Sequence, residues 1–322
     1  MITIKNYKAT NTESEEIARV SNLVNHDYID HPENIKDNWF MIDPNIFKGF
    51  FLLYYNQTLI GFIAYEQGIN ENQKKVFFYI KLDPNYNGNG YRKLLYQKML
   101  KEVRVINCTQ LLTEIYEHPN YKEYQNLLIN NKFKLVQTNR EYSCDIKKIN
   151  IPDYHPLIQK LESEGIQFYD SKEELKNQAN HYKKLEYLEW VIDRDIPIPN
   201  GIKHTRESFD QYLKEKLNFE EKYYGTEIIA VKNDEYIGST NLSVLYQTEP
   251  FKAWTEGLGV LKEFRRKGIA TALKIKAIKK LLSKGITEIR TDNELNNPMY
   301  KINENLGFYP VPFSLEYLKI LD

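Results

Sequence analysis

The order of apolar runs and turns between residues 51 and 103 recurs about 180 residues further along the chain, and a repeat that long decides how the chain must be divided. In the first half, Phe51–Tyr55, the polar pair Asn56-Gln57 and Leu59–Ala64 read as strand, tight turn and strand. A third apolar run, Val76–Leu82, passes through Asp83-Pro84 into Gly88-Asn89-Gly90 and then a helical pattern over Tyr91–Val103. In the second half, Glu227–Val231, the turn Lys232–Glu235 and Tyr236–Leu245 repeat the hairpin. The run from Trp254 to Leu261 then enters Arg265–Ala270 and a helix reaching Ser283, with Gly268 set against Gly88. This pattern predicts a tandem duplication of one α/β unit.

A length of 322 residues fits two domains at roughly 150 residues each. Ile151-Pro152-Asp153-Tyr154-His155-Pro156 reads as the linker, which places the domains at 1–150 and 151–322. Asp170-Ser171 ahead of Glu173 and Glu174 reads as a helix N-cap, and the two prolines of Asp195–Gly201 require an extended loop. The charges balance, 44 Lys plus Arg against 44 Asp plus Glu, so nothing global recommends a nucleic-acid partner. The longest apolar stretch, Gly49–Tyr55, is far short of the roughly 20 residues that cross a bilayer, and Met1–Ile4 lacks the pattern of a signal peptide. The expectation is a cytoplasmic chain with no membrane partner. Cys108 and Cys144 lack disulfide or zinc spacing, and His26 and His31 among Asp27, Asp30 and Glu33 read as a solvated acidic loop, so no metal site is expected.

Chemistry concentrates at Arg265-Arg266-Lys267-Gly268-Ile269-Ala270, which follows an apolar strand and opens an amphipathic helix beginning Thr271-Ala272-Leu273. Such a junction gathers unpaired backbone N–H groups at the positive end of a helix dipole. Gly268 and Ala270 keep bulk away, while the three cations add formal charge, so the loop reads as a diphosphate cradle. It is neither a G-x-G-x-x-G fingerprint nor a Walker loop.

On these residues the chain resembles the GNAT superfamily of acyl-CoA-dependent N-acetyltransferases, whose signature Gln/Arg-x-x-Gly-x-Gly/Ala is met by Arg265, Gly268 and Ala270. A second block, Thr291 to Phe308 with Asn293, Asn296, Asn297 and a closing Leu306-Gly307-Phe308, is similar to the family's Asn-rich loop, helix and terminal Leu-Gly-Phe. The tandem layout resembles two-domain members such as mycothiol synthase. The resemblance implies an α/β (α+β mixed-sheet) fold of two tandem GNAT-like domains and acetyl-CoA as co-substrate. It implies pantetheine along Leu258, Gly259 and Val260, and pyrophosphate over Arg265, Arg266, Lys267, Gly268, Ile269, Ala270 and Thr271. Asn296 is expected to hydrogen-bond cofactor or loop backbone. The implied reaction is direct attack by a primary amine, of a small molecule or a peptide, on the thioester, in a monomer or homodimer.

Glu256 shares a strand face with Val260 and is the candidate base, the other reading being a surface carboxylate paired with a lysine. The family's thiolate-protonating tyrosine is replaced by Asn303, which is left with a contact to the thioester sulfur region, and Tyr300, one turn earlier, is the candidate substitute acid. Asp193 and Asp195 stand either as amine contacts or as loop structure. In the first copy, Asn85 occupies the Gln/Arg position, Lys132 the closing glycine and Leu128 the acid, so that copy is expected to be degenerate. The competing function is a catalytically silent acetyl-CoA-binding or sensor module.

Overall fold

The computed structural model describes residues 1–25, 29–199, 202–244, 249–294, 297 and 299–321. The first half runs β1 (Ile2–Asn6), α1 (Asn11–Val24), α2 (Pro32–Met41), β2 (Lys48–Tyr55), β3 (Thr58–Gln67), β4 (Lys75–Leu82), α3 (Tyr91–Val103), β5 (Gln110–Tyr116), α4 (Lys122–Asn130) and β6 (Lys134–Asp145). The second half runs α5 (His155–Ser163), β7 (Gln167–Asp170), α6 (His181–Asp193), α7 (Phe209–Lys222), β8 (Tyr224–Lys232), β9 (Glu235–Val244), β10 (Lys252–Val260), α8 (Ile269–Ser283), β11 (Glu288–Glu294), α9 (Tyr300–Asn305) and β12 (Tyr309–Ile320). Both hairpins close on two left-handed residues, Asn56 and Gln57 in one and Asn233 and Asp234 in the other, the geometry that matches strand twist.

The chain forms two compact units. In the first, the strands lie in the order β1-β2-β3-β4-β5-β12, and β2 reads as an unbroken apolar run because both faces are covered. Phe50, Leu52 and Tyr54 pack with α1 residues Ile17 and Val20, while Phe51 and Leu53 pack with Leu95 and Met99 of α3. Thr10 starts α1 with a capping box to Glu13. In the second unit the order is β7-β8-β9-β10-β11-β6. Ile228 and Ala230 of β8 join the core under α8, and Ile229 joins the one under α6. Each unit contains one parallel pair, β4 with β5 and β10 with β11, among antiparallel neighbours, so both sheets are mixed. No helix among the described residues is long and apolar enough to cross a membrane.

Two expectations need correction. The units do not divide between residues 150 and 151: the first comprises 1–139, 198–205 and 312–322, and the second 140–197 and 206–311. The cause is strand exchange along the chain. The strand after α4 passes into the second unit at Arg140, and the edge of β5 is completed by β12, in register from Ser314↔Tyr116 to Ile320↔Gln110. Residues 151–156 are no linker, being a 3-10 turn (Ile151–Tyr154) that leads into α5. The second correction concerns the repeat register. Gly90 and Gly268 are the left-handed residues that begin α3 and α8, so Gly90, not Gly88, is the counterpart of Gly268.

Deleting Pro312–Asp322 strips β5 of its outer partner and leaves an open strand edge. The expected result is loss of amide-exchange protection at 110–116 and a greater tendency to aggregate. Unchanged protection there would show that β12 contributes nothing to the first unit.

Candidate functional site

β10 and β11 pair in parallel over only three positions, Lys252↔Glu288, Ala253↔Ile289 and Trp254↔Arg290, although both strands continue. β9 follows β10 up to Gly238↔Val260. The backbone of β10 beyond Trp254 is therefore held on one side and open on the other. At this end lies a cavity of about 620 Å³. Leu258, Gly259, Val260, Arg265, Arg266, Gly268, Ile269, Ala270 and Thr271 all line it. Lys267 does not; its ammonium lies 5.4 Å over the Phe264 ring. Asn296 falls outside the described residues. Ile192, Asp195, Ile196 and Pro197 from the end of α6 and the loop after it also line the cavity, as do Phe264, Glu294, Asn297, Met299, Lys301 and Ile302. Sequence reasoning singled out Asp195 and Asn297 among these and left the others out, because wall residues on a neighbouring helix end carry no motif of their own.

The turn into α8 is shaped by backbone. Arg266 and Gly268 are both left-handed, with φ 63° and 88°, a concave arrangement that gathers N–H groups. α1 and α7 are capped by Thr10 and Ser208, whereas α8 starts without a side-chain cap, leaving its first-turn donors for another acceptor. A Cβ on Gly268 would lie 2.7 Å from Leu157 Cδ1, and one on Gly259 would lie 2.1 Å from Ile192 Cγ2, so both sites require glycine for space. Arg265 braces the turn: its Nε donates to the Val260 carbonyl at 2.8 Å and its Nη2 donates to Asp195. Asp195 also takes Lys262 at 3.1 Å, and the hydrogen bond from Arg265 holds its carboxyl below the usual range. Asp195 is thus committed to the loop's own cations.

Glu256 is the extra residue of a β-bulge, since the register with β9 steps from Thr255↔Leu242 to Gly257↔Asn241. A bulge re-aims a side chain, and such irregularities gather beside active sites. The carboxylate opens to solvent yet stands in a crowded wall, and desolvation followed by the negative charge of Asp292 pushes its pKa up to about 7. Tyr300 packs against the core under α8 and is not among the cavity-lining residues. Asn303 is buried behind that wall. Its Oδ1 accepts from Lys274 Nζ and its Nδ2 donates to Asn293 Oδ1 at 2.7 Å, so its side chain braces α9 against α8 and β11 instead of facing the cavity. Lys274, 1% exposed, lies 4.3 Å over the Phe308 ring, and burial pushes its pKa down to about 7. Burial likewise pushes the Cys144 thiol up to about 11. His31 caps α2, its Nδ1 accepting from the Glu33 amide, while His26 and Asp27 lie outside the described residues.

The first unit lacks these features. Its parallel pair also stops after three positions, at Phe77↔Leu112, but β3 and β4 run in continuous register from Gly61↔Leu82 to Gln67↔Val76, with no bulge and no counterpart of Glu256. With Gly90 matched to Gly268, Asn87 stands where Arg265 does and Arg92 where Ala270 does. Arg92 is buried and tied to Glu123 and to Asn87 Oδ1 at 2.6 Å, and Asn89 Nδ2 donates to the Tyr86 and Asn87 carbonyls at 3.1 and 3.2 Å. Side chains of the loop and of Arg92 thus hydrogen-bond the loop's own polar groups. Lys132 adopts the left-handed conformation that Gly307 adopts in the second unit, and Leu128 is core.

The model of the acetyltransferase (GNAT) family matches residues 15–126 and 185–308. The chain belongs to that family. It is a tandem GNAT protein and an acyltransferase. Among solved structures, the tandem GNAT chain is similar to a tandem GNAT protein from the clavulanic acid biosynthesis pathway at 13% identity, with TM-score 0.77 over 99% of this chain and 98% of that one. It is similar to a GCN5-related N-acetyltransferase from Sphaerobacter thermophilus at 15% identity, with TM-score 0.70 over 99% and 95% of the two chains. A glucosamine N-acetyltransferase region of a fungal multi-domain β-N-acetylglucosaminidase matches 98% of this chain and 38% of that one, with 13% identity and TM-score 0.70. At these identities the likeness is one of fold. No curated protein sequence matches the chain.

Lys274 gives a pH test of the brace behind the cavity. An unfolded lysine titrates near 10.4, so between about 7 and that value the unfolded chain binds a proton the folded one does not. Wild-type stability should therefore rise with pH from 7 to 10 relative to Lys274→Met, by a few kcal/mol at most at about 1.4 kcal/mol per unit. Denaturation midpoints for both proteins across that range check it; parallel curves would mean that the ammonium stays charged when folded.

Proposed function

We propose that the second unit moves an acetyl group from acetyl-CoA to a primary amine by direct attack, and that the first unit is a degenerate copy. The observation that carries this is an asymmetry between the copies. The Arg265–Lys267 cations at the start of α8 and the bulge carrying Glu256 stand beside an open parallel pair in the second unit; in the first unit α3 starts equally uncapped but has Asn87, Gly88 and Asn89 at those positions, and there is no bulge. The residues fit the co-substrate. Arg266 and the first-turn N–H groups of α8 offer charge and donors to a diphosphate, with Gly268 and Ala270 beside them on the cavity wall. The open edge of β10 at Leu258, Gly259 and Val260 offers backbone groups to the pantetheine amides, in the manner of an added strand. Acetyl-CoA, when bound, supplies an acetyl thioester, an acyl group on a good leaving group.

The remaining work falls to the protein. An ammonium cannot attack, so its proton must leave, and Glu256 at about 7 is placed to take it near neutral pH. Asn303 is not assigned the acid role: an amide holds no proton to give, and both ends of its side chain are engaged. Tyr300 lies at the start of α9 next to the cavity residues Met299 and Lys301, and Lys301 brings positive charge to that wall. Two features favour a silent coenzyme-binding module, the absence of a tyrosine at Asn303 and the degenerate first copy. Acceptor-dependent thiol release decides the matter: binding of acetyl-CoA without such release over a broad amine panel would make the chain a binding module.

Two outcomes are expected. Because the base must be unprotonated, kcat/KM for the amine should rise with pH through about 7, and Glu256→Gln should remove that limb and lower kcat/KM by about 10²- to 10⁴-fold. Gly268→Glu should abolish acetyl-CoA binding measured by calorimetry, while Gly90→Glu should leave it intact. The reverse pattern, in folded variants, would transfer the site to the first unit.

A further inference from the structure

Continuing the parallel register of β10 and β11 beyond its last pair, Trp254↔Arg290, brings Glu256 opposite Asp292 and Leu258 opposite Glu294 across the opening. Leu258 and Glu294, two residues further along each strand, line the cavity, while Glu256 and Asp292 lie just before it, where the strands begin to part, and are not among its lining residues. Both open to solvent, and neither has an ion-pair partner among the described residues. Elsewhere in this unit Asp170, Asp195, Glu186, Glu189 and Glu227 are each matched by a lysine or arginine. At the same bulge, the hydroxyl of Thr255, a residue only 8% exposed, has no hydrogen-bond partner. Two like charges facing each other without a counterion raise each other's cost of ionisation, and desolvation pushes the Asp292 carboxyl up as well. A cation seated between the strands offsets that repulsion.

Resting on the acetyl-transfer reading above, we infer that the acceptor is a cationic amine held as its ammonium between Glu256 and Asp292, and that Asp292 sets a preference for polycationic amines over zwitterionic ones such as amino acids. The formal cations of the cavity, Arg265, Arg266 and Lys301, come from the turn and from α9, not from β10 or β11. An acceptor with a carboxylate of its own would bring a third negative charge to Glu256 and Asp292. In the transfer step the amine nitrogen bonds to the acetyl carbon as the carbon–sulfur bond breaks. Of the two protons the ammonium loses, Glu256 takes the first, before attack, and the thiolate that departs with the electron pair takes the second to become the thiol; Asp292 stays ionised beside the substrate.

Three acceptors of equal reach test this: 1,4-diaminobutane, butylamine and 4-aminobutanoate, each with acetyl-CoA and the full chain. The expected order of kcat/KM is diamine, then monoamine, then amino acid, with a ratio of about 100-fold between the extremes, since like-charge contact in a binding site costs several kcal/mol. Asp292→Asn should compress that ratio by about tenfold with the KM for acetyl-CoA unchanged, and Asp292→Glu should preserve it. Equal use of 4-aminobutanoate, or a ratio that Asp292→Asn does not move, overturns the assignment. Calorimetric titration of 1,4-diaminobutane in the presence of coenzyme A needs no turnover. Saturable binding of the diamine but not of 4-aminobutanoate, with no thiol release, would uphold the cation site and overturn the transferase reading. Absence of diamine binding would overturn the cation site, whatever the enzyme does with other amines.

Discussion

A parallel strand pair that stops after three residues governs the rest of the second unit. Had β10 and β11 stayed paired to their ends, the backbone of Leu258–Val260 would be consumed by the sheet and Glu256 would face a neighbouring strand. The divergence leaves donors and acceptors of a structural strand unclaimed, a condition normally confined to sheet edges. Here it occurs in the middle of a sheet, flanked by β9 on one side, and the cavity fills the space so created. The uncapped start of α8 and the left-handed Arg266 and Gly268 bring a second set of unclaimed N–H groups to the same place. Two departures from backbone self-sufficiency meet, and that coincidence separates a binding cleft from an ordinary α/β turn.

The two copies differ at few points around the strand pair and the turn. Both keep the early end of the parallel pair and both begin the following helix on a left-handed glycine. What differs is one residue of strand length and the side chains of the turn. Without the inserted residue, β4 pairs evenly with β3 and presents no re-aimed carboxylate. With Arg92 in place of a small residue, the turn satisfies itself through Glu123 and Asn87. The first unit nonetheless has its own buried core, as the second does.

Much of this was legible in the residues, and the misses share a cause. Helices α3 and α8 lie where their apolar spacing and glycines put them, and nine of the eleven residues expected to hold cofactor line one cavity. Those readings depend on local physics: periodicity, left-handed glycine and charge at a helix start. The register of the repeat was misread by two residues because Gly88-Asn89-Gly90 offers two glycines, and only backbone geometry shows which begins the helix. The partition at Asn139 was out of reach for a different reason. Strand exchange is a matter of which edges pair over a separation of some 200 residues, and no local pattern in β6 or β12 announces its partner. Asn303 looked exposed to the site because its place in a motif was visible while its partner Lys274, on another helix, was not.

The exchange of strands also bears on how the protein is made. A ribosome delivers residues in order, and N-terminal domains ordinarily fold as they emerge. In this chain the first unit lacks the partner of β5 until Ser314–Ile320 have been synthesised, so most of the second unit exists before the first is finished. During that interval β5 presents an unprotected edge, and a second nascent chain could supply β12 in place of the protein's own. The duplication also cannot be undone by cutting the gene at its midpoint: each half would carry the other's last strand, and neither would be one of the units from which the protein is built.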